Sequence, residues 1–155
     1  MTCNVRIATA DDADAACAVL RRSISECCFE DHHGDSEVLR SWLLNKTPEN
    51  IRAWIQYPAG FAVVAEVDAR ISGFGLLSST GTVALCYLVP EARFIGAGKA
   101  MLAAMEAEAI RRGLTSLNLE STLTALPFYG RNGFVRTGEP NVGLGVKGFP
   151  MEKPL

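Results

Sequence analysis

Arg93, Gly96 and Gly98, followed by Lys99, are the residues whose spacing points to a particular chemistry. Gly96 and Gly98 carry no side chain, so a ligand can approach the backbone there closely. From about Ala97 to Gly113 the pattern turns helical. Met101, Leu102, Met105 and Ala109 share one face, with Lys99 and Glu106 on the other. A glycine turn feeding a helix N-terminus is an anion site. The first N–H groups have no acceptor inside the helix, and the helix dipole is positive at that end. A diphosphate would fill those donors, and Arg93 and Lys99 would add charge-assisted contacts. Two familiar nucleotide loops fail on named residues. A Walker A loop has Gly where Arg93 stands and Ser or Thr where Ala100 stands. A dinucleotide fingerprint has Gly where Met101 stands. A second cluster, Cys27, Cys28, Asp31, His32, His33 and Asp35, fits no common zinc spacing, and its adjacent Cys-Cys and His-His pairs cannot easily all converge. No metal is expected.

The elements that must position these residues follow from periodicity and turn signals. Val5 and Ile7 alternate with polar residues in a short strand. Thr9 and the acidic pair Asp11 and Asp12 start a helix that runs through Ala16, Leu20 and Ile24 to about Cys28. Residues 29–35 read as a polar loop. Helical segments follow at 36–44 and from Thr47-Pro48 to before Tyr57-Pro58. Two strands, 60–67 and 71–78, form a hairpin about Asp68-Ala69. Val83, Leu85, Tyr87 and Val89 make an apolar strand that Pro90 stops. The glycine turn and its helix come next, ending at Gly113. Residues 116–120 form a strand with Leu117 and Leu119 on one face. Residues 122–132 form a short helix containing Pro127, and a strand begins at Phe134. Residues 140–145 read as a loop, and 146–154 as a last strand or extended tail. This order predicts a mixed α/β (α+β) fold with helices on both faces of a sheet.

The chain of 155 residues is nearly half apolar and carries a net charge of −2. That composition fits one domain, residues 1–155, and gives no broad basic field for nucleic acid. The N-terminus lacks the apolar core of a signal peptide, and no apolar run reaches membrane-spanning length. Five cysteines without paired spacing suit reduced thiols, and a cytoplasmic location is expected.

The run Arg93-x-x-Gly96-x-Gly98 resembles the coenzyme A pyrophosphate loop of the GNAT superfamily of acyltransferases. A second stretch, from Thr122 to Phe134, is similar to that family's other motif: Ala125, Phe128, Tyr129, Gly133 and Phe134 match, while Thr122 replaces an Asn. Both motifs stand in the family's order, and the order of elements matches along nearly the whole chain. The resemblance implies a mostly antiparallel twisted sheet of about seven strands, splayed between the fourth strand, 83–89, and the fifth, 116–120, with acetyl-CoA in the cleft.

It also implies acetyl transfer from acetyl-CoA to a primary amine, directly, in a ternary complex. The diphosphate would take the N–H groups of Phe94, Ile95, Gly96, Ala97, Gly98 and Lys99, with Arg93 and Ala100 beside them. The amide-rich pantetheine would pair with the strand edge at Leu88 and Val89, whose N–H groups would also polarise the thioester carbonyl. Thr122, Ala125 and Phe128 would complete the cofactor site, Thr122 being either a pantetheine contact or a helix N-cap. Lys99 is either a phosphate contact or a solvated helix residue. Tyr129 is either the acid that protonates the leaving thiolate or a packing aromatic. Glu120, at a strand end facing the acceptor, is either the base for the amine or a surface carboxylate; a water chain would replace a dedicated base. Cys86 lies close enough to the cleft to be tested as a nucleophile, although no His and carboxylate partner it. The 29–35 loop is either solvated or lines the acceptor pocket through His32 or His33. The acceptor is a small-molecule or peptide amine, and an exposed last strand would support a homodimer. The alternatives are a non-catalytic acyl-CoA-sensing module and a protein whose glycine turn is only a turn.

Overall fold

A computed structural model describes residues 2–155. Four antiparallel strands, β1 (Cys3–Ile7), β2 (Phe61–Val67), β3 (Arg70–Leu77) and β4 (Val83–Leu88), form a first sheet in that order. β5 (Ser116–Ser121), β6 (Val135–Arg136), β7 (Asn141–Gly143) and β8 (Val146–Pro154) form a second grouping, ordered β5-β8-β6, with β7 also on β8. The two meet at a single parallel bridge between Thr82 and Asn118. There the Asn118 N–H donates to the Gly81 carbonyl at 3.0 Å, and the Thr82 hydroxyl to Asn118 Oδ1 at 2.8 Å. Beyond that point β4 and β5 are unpaired, so the splay lies where it was expected.

The helices are α1 (Ala13–Cys27), α2 (Phe29–His32), α3 (Ser36–Leu43), α4 (Pro48–Gln56), α5 (Ala97–Arg111) and α6 (Leu126–Arg131). α1 and α4 cover one face of the first sheet, burying Ala16, Leu20 and Ile51 against Val64 and Phe74. α5 covers the other face and reaches the second sheet. Met101 and Met105, both fully buried, lie in one cluster with Val63 and Ala65 of β2, Leu117 and Leu119 of β5 and Met151 of β8. Successive side chains of β2 point to opposite faces, which places Val63 and Ala65 in one layer and Ala62 and Val64 in the other.

Several local expectations change. The strands number eight, close to the seven or so expected, and they fall into two sheets on either side of the splay. Residues 29–35 are not all loop. Cys28 leads into the one-turn helix α2, which His33 stops with a left-handed φ of 55° and an N–H to the Phe29 carbonyl at 2.7 Å. Residues 140–145 are not a loop, because Leu144 and Gly145, both at positive φ, turn β7 onto β8 in a two-residue hairpin. β8 is not an exposed strand: β5 pairs along one edge and β6 and β7 along the other. The edge that suggested a homodimer is therefore occupied. No helix among the described residues is long and apolar enough to cross a membrane.

Candidate active site

The turn after β4 is built to leave its amides free. Pro90 opens a single helical turn, and the Arg93 N–H closes it on the Pro90 carbonyl at 3.3 Å. Phe94 (φ 64°) and Gly96 (φ 90°) then adopt left-handed conformations that swing successive N–H groups to one side. Among the described residues, no amide from 94 to 99 donates to a protein acceptor; Ala100 is the first, bonding the Gly96 carbonyl at 3.0 Å. A side chain at Gly96 would meet nothing within 4 Å. Gly98 differs. Its missing Cβ leaves room for the Phe128 ring, which would stand 2.9 Å away, and for Leu88 at 3.4 Å. Its bare backbone thus lets α6 pack close against the turn. Phe94 is 85% exposed, with the Arg93 guanidinium 4.8 Å from its ring centre.

A cleft of about 470 Å³ opens beside this turn. The expected cofactor residues Leu88, Arg93, Phe94, Gly96, Gly98, Lys99, Thr122, Ala125 and Phe128 all line it. Ile95 and Ala97 turn their side chains into the core and offer only their N–H groups. Two expected residues offer no free donor. The Ala100 N–H is spent on the helix, and the Val89 N–H donates to the Ser72 carbonyl at 2.9 Å, with its side chain buried against Val19 and Ala92. Because donors alternate along an antiparallel strand, that bond turns the Leu88 and Cys86 amides toward the open edge facing β5.

Tyr129 and Cys86 share the cleft wall. Tyr129 is buried, its ring meeting Phe128 and Phe134 edge-on at 5.2 and 5.6 Å. Burial first, then the neighbouring Cys86 and Tyr87, holds its hydroxyl well above the usual tyrosine value. Desolvation pushes the Cys86 thiol up to about 12, against a smaller opposing effect of its hydrogen bond with Tyr129. Cys28, also buried on this wall, is likewise pushed up to about 12. These groups are neutral at pH 7, and no histidine lines the cleft.

Glu120, at the far end of β5, lines both the cleft and a second cavity of about 350 Å³. It accepts a hydrogen bond from the side-chain amide of Asn141 on β7. Thr122 lines both spaces too, while its hydroxyl oxygen accepts the Ala125 N–H at 3.1 Å and closes the turn before α6. His32 lines neither cavity. Its Nδ1 accepts the Gly34 N–H at 2.9 Å, which leaves Nε2 to donate to the Ile24 carbonyl at 3.1 Å. His33, exposed at the end of α2, lies outside both cavities as well.

Asp31, expected in a loop, lies instead on α2. Buried on α2, it accepts the Leu123 N–H at 2.7 Å, the Thr124 N–H at 3.3 Å and the Thr124 hydroxyl at 2.6 Å. It holds the turn that aims α6, and hence Tyr129, into the cleft. The sequence signal is faint: a carboxylate in a polar run between Glu30 and His32, with its partners more than ninety positions away.

Solved structures share this architecture. A GCN5-related N-acetyltransferase from Rhodopseudomonas palustris superposes with a TM-score of 0.88 at 20% identity, covering 100% of this chain and 97% of that one. The PaiA N-acetyltransferase of Thermoplasma acidophilum, solved with coenzyme A, gives 0.83 at 23% identity over the whole of both chains. The acetyltransferase YncA of Salmonella typhimurium, solved with acetyl-CoA, gives 0.75 at 17% identity, covering 99% and 94%. At these identities the likeness is one of fold. No curated protein matches the chain in sequence. The family model described as the acetyltransferase (GNAT) domain matches residues 30–155, and by that match over most of its length the chain belongs to the GNAT acetyltransferase family.

Proposed function

We propose that this chain is an N-acetyltransferase that binds acetyl-CoA in the cleft between β4 and β5 and passes the acetyl group directly to a primary amine. The observation that carries the proposal is the row of unpartnered amides from 94 to 99 at the mouth of that cleft. Arg93 and Lys99 stand beside them, so the turn fits a diphosphate. The bound thioester supplies an activated acetyl group. The Leu88 and Cys86 amides, at the open edge of β4, are placed to pair with pantetheine and to stabilise the acetyl oxygen as it gains charge. Glu120 takes a proton from the acceptor ammonium. The freed nitrogen forms a C–N bond to the acetyl carbon while the C–S bond breaks and its electron pair stays on sulfur. Tyr129 protonates that sulfur and is restored by the second proton leaving the nitrogen. One proton is released per amide formed. Direct transfer is supported by Cys86, which stays a thiol and has no histidine to activate it.

We take residues 1–155 as one domain, since a single core cluster includes residues of both sheets. Five free cysteines suit a reducing compartment such as the cytoplasm. The test is acetyl-CoA titration followed by calorimetry and thermal shift, then amine-dependent release of coenzyme A thiol with one proton per turnover. Binding with turnover is expected. Binding without turnover on any amine would mark a sensor. No binding would sink the proposal.

A further inference from the structure

The second cavity adjoins the cleft and shares Tyr87, Glu120 and Thr122 with it. Its remaining walls include Trp42, Ser121 and the β7–β8 hairpin that carries Asn141. We infer that this cavity receives the body of the acceptor, and that the acceptor is a compact primary amine bearing one positive charge and a hydrocarbon or aromatic body. The inference rests on the acetyltransferase proposal for the cleft.

Cations line both spaces, Lys147 among them in the second, and a single carboxylate is common to the two. Arg93, Lys99 and Arg131 line the cleft, whereas Glu120 is the one carboxylate lining either space among the described residues. One of its oxygens already receives an N–H from Asn141. A neutral amide at this place shows where an N–H donor sits against the carboxylate; an ammonium makes the same contact with charge assistance. A second ammonium on the acceptor would find no second carboxylate and would share the cavity with Lys147.

The inner wall disfavours an acceptor carboxylate as well. The Trp42 indole lies beside the Tyr87 hydroxyl, and the Ser121 hydroxyl donates to the Thr122 carbonyl at 2.7 Å. What remains there is aromatic surface, which suits hydrocarbon and the flank of a cation. This space of about 350 Å³ is open to solvent and lies at the small end of ligand pockets, so the part of the acceptor that enters it must be compact.

The experiment compares kcat/KM with saturating acetyl-CoA for four acceptors: benzylamine, spermidine, free lysine and a short peptide with a free N-terminus. Benzylamine is expected to exceed each of the others by at least about tenfold, the equivalent of one charge-assisted hydrogen bond. Benzylamine binding to the coenzyme A-saturated protein is measured separately by calorimetry. Glu120→Gln is expected to weaken that binding by about tenfold or more while leaving coenzyme A affinity unchanged, which also shows that the variant is folded. Equal or better turnover of spermidine, lysine or the peptide overturns the inference. So does benzylamine affinity unchanged by Glu120→Gln, or a protein that binds acetyl-CoA and turns over none of the four. Failure of acetyl-CoA to bind the wild type would instead overturn the underlying proposal.

Discussion

Burial between Phe128 and Phe134 keeps the Tyr129 hydroxyl protonated across the neutral range, so the acid form needs no recruitment at working pH. In the role proposed for it, Tyr129→Phe should lower kcat by about a hundredfold or more while coenzyme A affinity stays within about twofold. Equal losses in both would assign Tyr129 to packing. The pH dependence follows from the same group. An acid is active below its pKa and loses activity as pH rises through it. Because burial moves that value upward, kcat should show no alkaline fall below about pH 10. The two glycines of the turn separate in the same way. Gly98→Ala places a Cβ 2.9 Å from Phe128 and should cost about 1–3 kcal/mol of stability, read from denaturant melts. Gly96→Ala meets open space, but its φ of 90° strains any side chain, and it should weaken coenzyme A binding about tenfold with little loss of packing.

Among the elements, α2 is the one whose size understates its effect. Four residues long, it delivers Asp31 to the turn before α6. Asp31→Asn preserves the shape and removes the charge, and should cost about 2 kcal/mol. Hydrogen exchange should show faster exchange at the Leu123 and Thr124 amides, with a drop in kcat larger than the change in coenzyme A affinity. Unchanged protection at those amides would dismiss this role. α5 was legible because its apolar positions repeat over fifteen residues, and the β2–β3 hairpin because Asp68-Ala69 interrupts two apolar runs of strand length. α2 was not, since one turn is too short to show a period. β7 was missed because its turn places Leu144, an improbable residue, at positive φ. The glycine turn before α5 was legible through local spacing. The free edge of β4 was legible only in part, because the Val89–Ser72 bond that fixes which amides face outward depends on strand register.

For the molecule as a whole, α5 is what makes two sheets share a core. Met105 packs with residues of β2, β5 and β8. Met105→Ala should cost about 2–4 kcal/mol. Exchange protection should fall together in β2 and β8; a loss confined to one sheet would show that they unfold separately. The opposite end of the first sheet is pinned by the Arg6 guanidinium, which grips Asp12 at 2.8 and 2.9 Å and Glu66 at 2.9 Å. Arg6 first, with help from the Thr9 amide, holds the Asp12 carboxyl at about 2 instead of 3.8. A lowered carboxylate pKa contributes stability that is complete above the unfolded value and disappears as pH falls through the folded one. Asp12→Ala should therefore lower Tm by about 4 °C at neutral pH. That deficit should persist down to about pH 4 and close toward pH 2 in parallel melts of the two proteins.

The position of β8 between β5 and its other neighbours bears on how the protein is made. A ribosome releases β1 to β4 as a set of partners that can pair before the rest exists. β5 and β6 must wait, exposed, until the strand that joins them emerges. The cleft, which needs β5 and α6 held in place, therefore comes into being only once β8 has emerged. Chaperones that shield lone strands have their opportunity in that interval.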